Sequence, residues 1–193
     1  MKEVLTPKGI SVARNSINKQ ARLSEHLTSS SVAALSHSSE LDGLRLTPHF
    51  TLAEMCKTSA KTADGNIPSH VHIENLRRLC SWLEMLRDEW NRRYGEGDDP
   101  IIINSGYRSE AVNKAIGGAK GSNHLTGCAA DIRVAGMEQA LRYAVILLDI
   151  SDESREDFDE LLLERSPKGG YWLHFAVRPP SQENRRKVRF IQT

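Results

Sequence analysis

Three side chains could hold a divalent metal between them: His124, Asp131 and His174. Zinc favours imidazole nitrogen and carboxylate oxygen, and a catalytic site uses three protein ligands plus a water. His124 and Asp131 lie in the stretch Gly117-Gly-Ala-Lys-Gly-Ser-Asn-His124-Leu-Thr-Gly127-Cys-Ala-Ala-Asp131, and His174 in Tyr171-Trp-Leu-His174-Phe. His174 sits among apolar strand residues, where an imidazole needs a polar partner or its burial costs free energy. A metal would be that partner. Taken singly, each residue has an ordinary alternative: a strand histidine satisfied within the core, a turn or capping aspartate. Cys128 makes a closed Cys/His site conceivable. Three residues along a strand, however, puts it on the face opposite Asp131. His26, His37, His49, His70 and His72 show no ligand spacing.

The elements that must position these groups are legible from periodicity. Thr51 with Glu54 has the capping-box pattern of a short helix. Ile73, Leu76, Leu79, Leu83, Leu86 and Trp90 recur at steps of three and four, one apolar stripe on a long helix ending at Gly95. Pro100 followed by Ile101-Ile102-Ile103 reads as a buried strand. Ser109 caps a short helix stopped at Gly117-Gly118. Cys128 to Val134 reads as a strand and Met137 to Ile150 as a helix. Leu161-Leu162-Leu163 and Tyr171 to Val177 form a hairpin around Ser166-Pro-Lys-Gly-Gly170. Adjacent hairpin strands imply an α+β class with an antiparallel sheet backed by helices.

Composition excludes several functions. There are 26 basic and 25 acidic residues, a net charge of +1, so no cationic excess exists to neutralise a nucleic-acid backbone. No apolar run reaches the roughly 18 residues of a membrane span. Three cysteines, Cys56, Cys80 and Cys128, have no C-x-x-C spacing and read as free thiols in a reducing compartment. Met1 to Ile10 holds no apolar signal-peptide core, so a cytoplasmic location or release by lysis is expected. Residues 1–46 contain nine serines and no aromatic residue, and are expected to be a flexible tail. The domain is then expected over 47–180, with a C-terminal extension over 181–193, and the protein as a monomer.

The pattern Ser122-Asn-His124, Gly127, Asp131 and Trp172-Leu-His174 resembles the zinc D-Ala-D-Ala carboxypeptidases and their relatives. Those include D-Ala-D-Ala dipeptidases, phage endolysins cutting L-alanyl-D-glutamate bonds, and the hedgehog signalling domain. Ser105-Gly-Tyr-Arg-Ser109, the Gly-Gly-Ala before Ser122 and Phe50-Thr-Leu-Ala-Glu54 match the small phage-type branch. The similarity covers roughly residues 46–178. It implies a hedgehog/DD-peptidase fold, zinc on His124, Asp131 and His174, and a peptidoglycan stem peptide as substrate. It also implies that Arg108 binds substrate or steadies the transition state, and that Ser122 contacts substrate; Trp172, beside the last histidine, joins the substrate-binding set. Arg108 alone could also be a surface arginine or pair with Glu110, and Ser122 alone could serve only its Gly-rich turn.

The dipeptidase branch has a glutamate three residues before the last histidine, where this chain has Tyr171. Glu164 is the candidate general base instead. A hairpin symmetric about Gly169 sets Glu164 opposite His174; Glu160 and Asp159 are its reserves. The alternative is a zinc-containing peptidoglycan-binding or interaction module of the same fold without catalysis. A weaker third reading is an interaction domain without metal.

Overall fold

The computed structural model describes residues 43–192. Of the expected tail, residues 1–42 lie outside the described residues. Residues 44–46 belong to the domain: Arg45 bridges to Thr51, Leu46 is buried in the core, and Leu44 packs against it.

Helix α1, Leu52–Met55, starts where Thr51 accepts a hydrogen bond from the Glu54 amide. Helix α2, His70–Arg93, is capped by Ser69, with His72 closing the box by accepting from the Ser69 amide at 3.3 Å. The apolar stripe sits as its spacing demands, with Ile73, Leu76, Leu79, Leu83 and Leu86 all buried. Each leucine so buried contributes about 1.5–3 kcal/mol of transfer free energy, so packing rather than propensity holds this helix in place. Strand β1 is Ile103–Ser105, helix α3 is Glu110–Ala115 capped by Ser109, and a 3-10 turn spans Asn123–Thr126. Strand β2, Ala129–Arg133, is followed by helix α4, Met137–Ser154, and by strands β3, Glu160–Arg165, β4, Tyr171–Ala176, and β5, Lys187–Gln192.

The strands form one sheet in the order β1-β2-β4-β3-β5. The class is α+β, but the sheet is mixed rather than antiparallel, because β5 runs parallel to β3. The expected C-terminal extension is therefore a structural strand at the sheet edge. Alternation along the strands divides the sheet. Ala130, Ile132, Leu161, Leu163, Leu173 and Phe175 join the core with α2 and α4, with Trp82 of α2 5.4 Å from Phe175. Asp131, Trp172, His174, Glu160, Leu162 and Glu164 occupy the other face by the same period-two rule.

The hairpin register also differs from a turn symmetric about Gly169. Ser166 donates its amide to Gly170 O at 2.8 Å, which leaves a three-residue loop centred on Lys168, with Gly169 at φ +86. A left-handed residue closing a three-residue loop favours glycine. His174 consequently faces Leu162, and Glu164 faces Trp172. Among the described residues, no helix is long and apolar enough to cross a membrane.

Candidate metal centre

Asp131 and His174 are direct cross-strand partners on β2 and β4. His124 reaches them from the 3-10 turn, which Ser122 caps by accepting from the His124 amide at 3.3 Å. The turn ends at Gly127, φ +72, where a Cβ would lie 2.6 Å from His72 O of α2. Only glycine supports both that conformation and that approach.

Three atoms converge. His124 Nε2 is 3.2 Å from Asp131 Oδ1 and 3.3 Å from His174 Nδ1, and His174 Nδ1 is 2.9 Å from Asp131 Oδ1. Tetrahedral zinc with bonds of about 2.0–2.1 Å spaces its ligand atoms about 3.3–3.4 Å apart. The triangle therefore fits such an ion with small adjustment. Among the described residues, this trio is the group of His, Cys, Asp and Glu side chains arranged to hold a metal. Cys128 is buried and its thiol lies 3.7 Å from Thr126 O, away from the trio. Burial pushes the Cys56 thiol up to about 12 and raises Cys80 and Cys128 as well, which favours the protonated thiol over the thiolate that would bind a metal.

The neighbours of the trio set its orientation. His124 Nδ1–H donates to Gly106 O at 2.6 Å, which turns the Nε2 lone pair inward. Gly106 is pressed against the end of α1: a Cβ there would lie 2.3 Å from Met55 O, which accepts from the Tyr107 amide at 2.7 Å. Gly106→Ala should therefore cost about 1–3 kcal/mol through overpacking. It should also weaken metal binding through His124. Thermal melting and metal titration of that variant check both effects.

Buried Asn66 latches the same loop, donating to Cys56 O and Tyr107 O and accepting from the Ser109 amide. The sequence reading missed it. A buried asparagine at positive φ carries no periodic signal; only the neighbouring Asp64-Gly65 turn marks it.

Arg108 Nη2 donates to Asp131 Oδ2, and Arg108 Nε to Ser105 Oγ at 2.8 Å. Its carboxylate partner is thus the candidate ligand Asp131, not Glu110. Burial alone would raise the Asp131 carboxyl, but the His124 and His174 imidazoles outweigh it and hold it far below the usual range. Burial favours neutral His124. Burial opposes charge on His174 too, yet hydrogen bonding to Asp131 and the nearness of Glu160 raise it to about 9.

The other candidates are distributed as follows. Trp172 lies on the His174 face, half-buried, opposite Arg133 and Glu164. Glu164 is two residues along β3 from the partner of His174, on the same face. Burial pushes its carboxyl up, and His174, Asp131 and Arg108 all act on its charge. Asp159 is fully buried and clamped by Arg185 and Arg178 at 2.7 and 2.9 Å. Those arginines hold it low against burial, so it is unfit as a proton acceptor. Glu160 lies 3.6 Å from His174 Nε2, on the side of the ring away from the trio. His174, first, and Lys187 hold Glu160 well below its ordinary value.

A family model described as Peptidase M15 matches residues 48–151, more than half of the chain. The chain belongs to the Peptidase M15 family. It is also 31% identical over 84 residues to the Zinc D-Ala-D-Ala carboxypeptidase of Streptomyces albus G. That match covers 44% of this chain and 31% of the relative, so the chain spans under a third of the relative's length. The family match includes His124 and Asp131 but stops before β3 and β4. The matched segment therefore contains two of the three converging groups, and the β2–β4 register brings the third, His174, to them.

Proposed function

We propose that this member of the Peptidase M15 family is a zinc peptidase that hydrolyses a peptide bond in the stem peptide of bacterial peptidoglycan. The observation that supports it most is the triangle of His124 Nε2, His174 Nδ1 and Asp131 Oδ1 at zinc-ligand spacing. The similarity to a Zinc D-Ala-D-Ala carboxypeptidase supports the metal and the substrate class.

His124, Asp131 and His174 would hold the ion. When bound, it supplies a Lewis acid that polarises the scissile carbonyl and acidifies the attacking water. Glu164 takes the water proton and delivers it to the leaving amine. Burial raises its half-buried carboxyl above the ordinary glutamate value, which makes the carboxylate a stronger proton acceptor. Arg108 keeps Asp131 in place with Nη2 and offers its remaining nitrogen to a substrate carboxylate or developing oxyanion. Trp172 presents an apolar wall to the substrate on the same sheet face. Ser122 Oγ accepts from its own turn, and its hydroxyl proton is the part that can be donated to substrate.

A second reading draws support from Tyr171, which stands where the dipeptidase-type relatives carry a glutamate. On that reading the chain binds zinc and stem peptide without cleaving. Digestion of purified peptidoglycan, with the released fragments identified by mass spectrometry, separates the two. Cleavage should release amino-acid or peptide fragments bearing a new terminus at one bond. Zinc-loaded protein that binds peptidoglycan but releases nothing would establish the second reading.

A further inference from the structure

Strand β5 places Lys187 beside Glu160 of β3. Lys187 Nζ donates to Glu160 Oε1 at 2.8 Å, and Arg185 Nη2 lies 3.0 Å from the same oxygen. The other oxygen, Oε2, accepts from Asn123 Nδ2 at 3.1 Å and faces His174 Nε2 at 3.6 Å. Asn123 directly precedes His124, and its amide also donates to Asp159 Oδ2 at 2.8 Å. One largely buried carboxylate therefore touches the segment that carries one candidate ligand and the ring of another. It is held there by Lys187 of the last strand and by Arg185, which precedes that strand.

His174 Nε2 points away from the metal position and Nδ1 points into it. A histidine ligates with one nitrogen only when its proton resides on the other, and a carboxylate facing the second nitrogen secures that tautomer and the ring orientation. At 3.6 Å the Glu160 contact is electrostatic rather than a close hydrogen bond, and it still favours the proton on Nε2. The same placement argues against proton transfer from water by Glu160, since the imidazole ring lies between its carboxylate and the trio.

We propose that Glu160 is the positioning residue for His174 and that Lys187 and Arg185 hold it there, so that the C-terminal strand is part of the metal centre. Neither the carboxylate nor the two cations lies within residues 48–151, the part matched by the family. The inference rests on the zinc reading of the trio.

The test is zinc affinity of the full chain by chelator competition, for the parent, Glu160→Gln and Lys187→Met. Cobalt(II) absorption spectra and melting of the metal-free proteins accompany it. Loss of an outer carboxylate of this kind typically weakens metal binding about 10–100-fold. Glu160→Gln should fall in that range with an altered cobalt spectrum and a metal-free melting temperature close to the parent's. Lys187→Met should show a smaller loss in the same direction, and it carries the test if Glu160→Gln folds poorly. Parental zinc affinity in both variants would overturn the inference while leaving the zinc reading standing. So would Glu160→Gln that keeps parental affinity and spectrum but loses cleavage, which would make Glu160 the proton acceptor. A parent that binds no zinc would instead remove the zinc reading itself.

Discussion

The parent protein, purified without added metal, should contain close to one zinc per chain, and His124→Ala and Asp131→Ala should each lose nearly all of it. Each substitution removes one of three converging atoms, and Asp131→Ala also frees Arg108 beside two imidazoles. Elemental analysis reads the result directly, and full zinc retention in both variants would sink the assignment. The effect should depend on pH in a stated direction. His174 is raised to about 9 by hydrogen bonding to Asp131 against the opposing pull of burial, so at neutral pH the ring carries a proton that the metal must displace. Zinc affinity should therefore climb as pH rises toward about 9 and level off above it. A flat affinity between about pH 6 and 8 would show that zinc displaces no proton from His174 in that range.

Glu164→Gln should keep zinc and substrate binding and lose turnover by about 10²–10⁴-fold, the usual loss on removing a general base. Glutamine preserves size and hydrogen bonding but accepts no proton. A fall in melting temperature alongside activity would point to a structural role, so zinc content, melting and peptidoglycan cleavage need measuring together. Glu160→Gln is an informative companion, not the neutral control that opposite strand faces would make it. Residues 160 and 164 are four apart on one strand and share the His174 face. The two should separate: Glu164→Gln acts on turnover, Glu160→Gln on zinc affinity. Parental cleavage by Glu164→Gln would remove it as the base. Asp159, fully buried between two arginines, is then no substitute.

The sequence by itself determined the chemistry-bearing residues and the elements beneath them. Two histidines and an aspartate at ligand-like positions, the apolar stripe of α2, the caps at Thr51 and Ser109, and the two hairpin strands are local signals. Each depends on residue type and on periods of two or 3.6, which a single chain displays directly. Tertiary structure decided the rest. Whether Glu164 or Leu162 faces His174 depends on the hairpin loop, where Ser166 pairs with Gly170 around a three-residue turn; one residue of difference in the centre moves the partner by two. Strand β5 alternates Lys187-Val188-Arg189-Phe190, but Val188 and Phe190 are exposed rather than buried, so that alternation marks no core face and the strand's place comes only from pairing with β3. The partner of Arg108, the clamp on Asp159 and the latch at Asn66 each join groups distant in sequence. Such contacts follow from how the sheet and loops pack, because a buried polar group takes whichever partner the fold brings within hydrogen-bond reach.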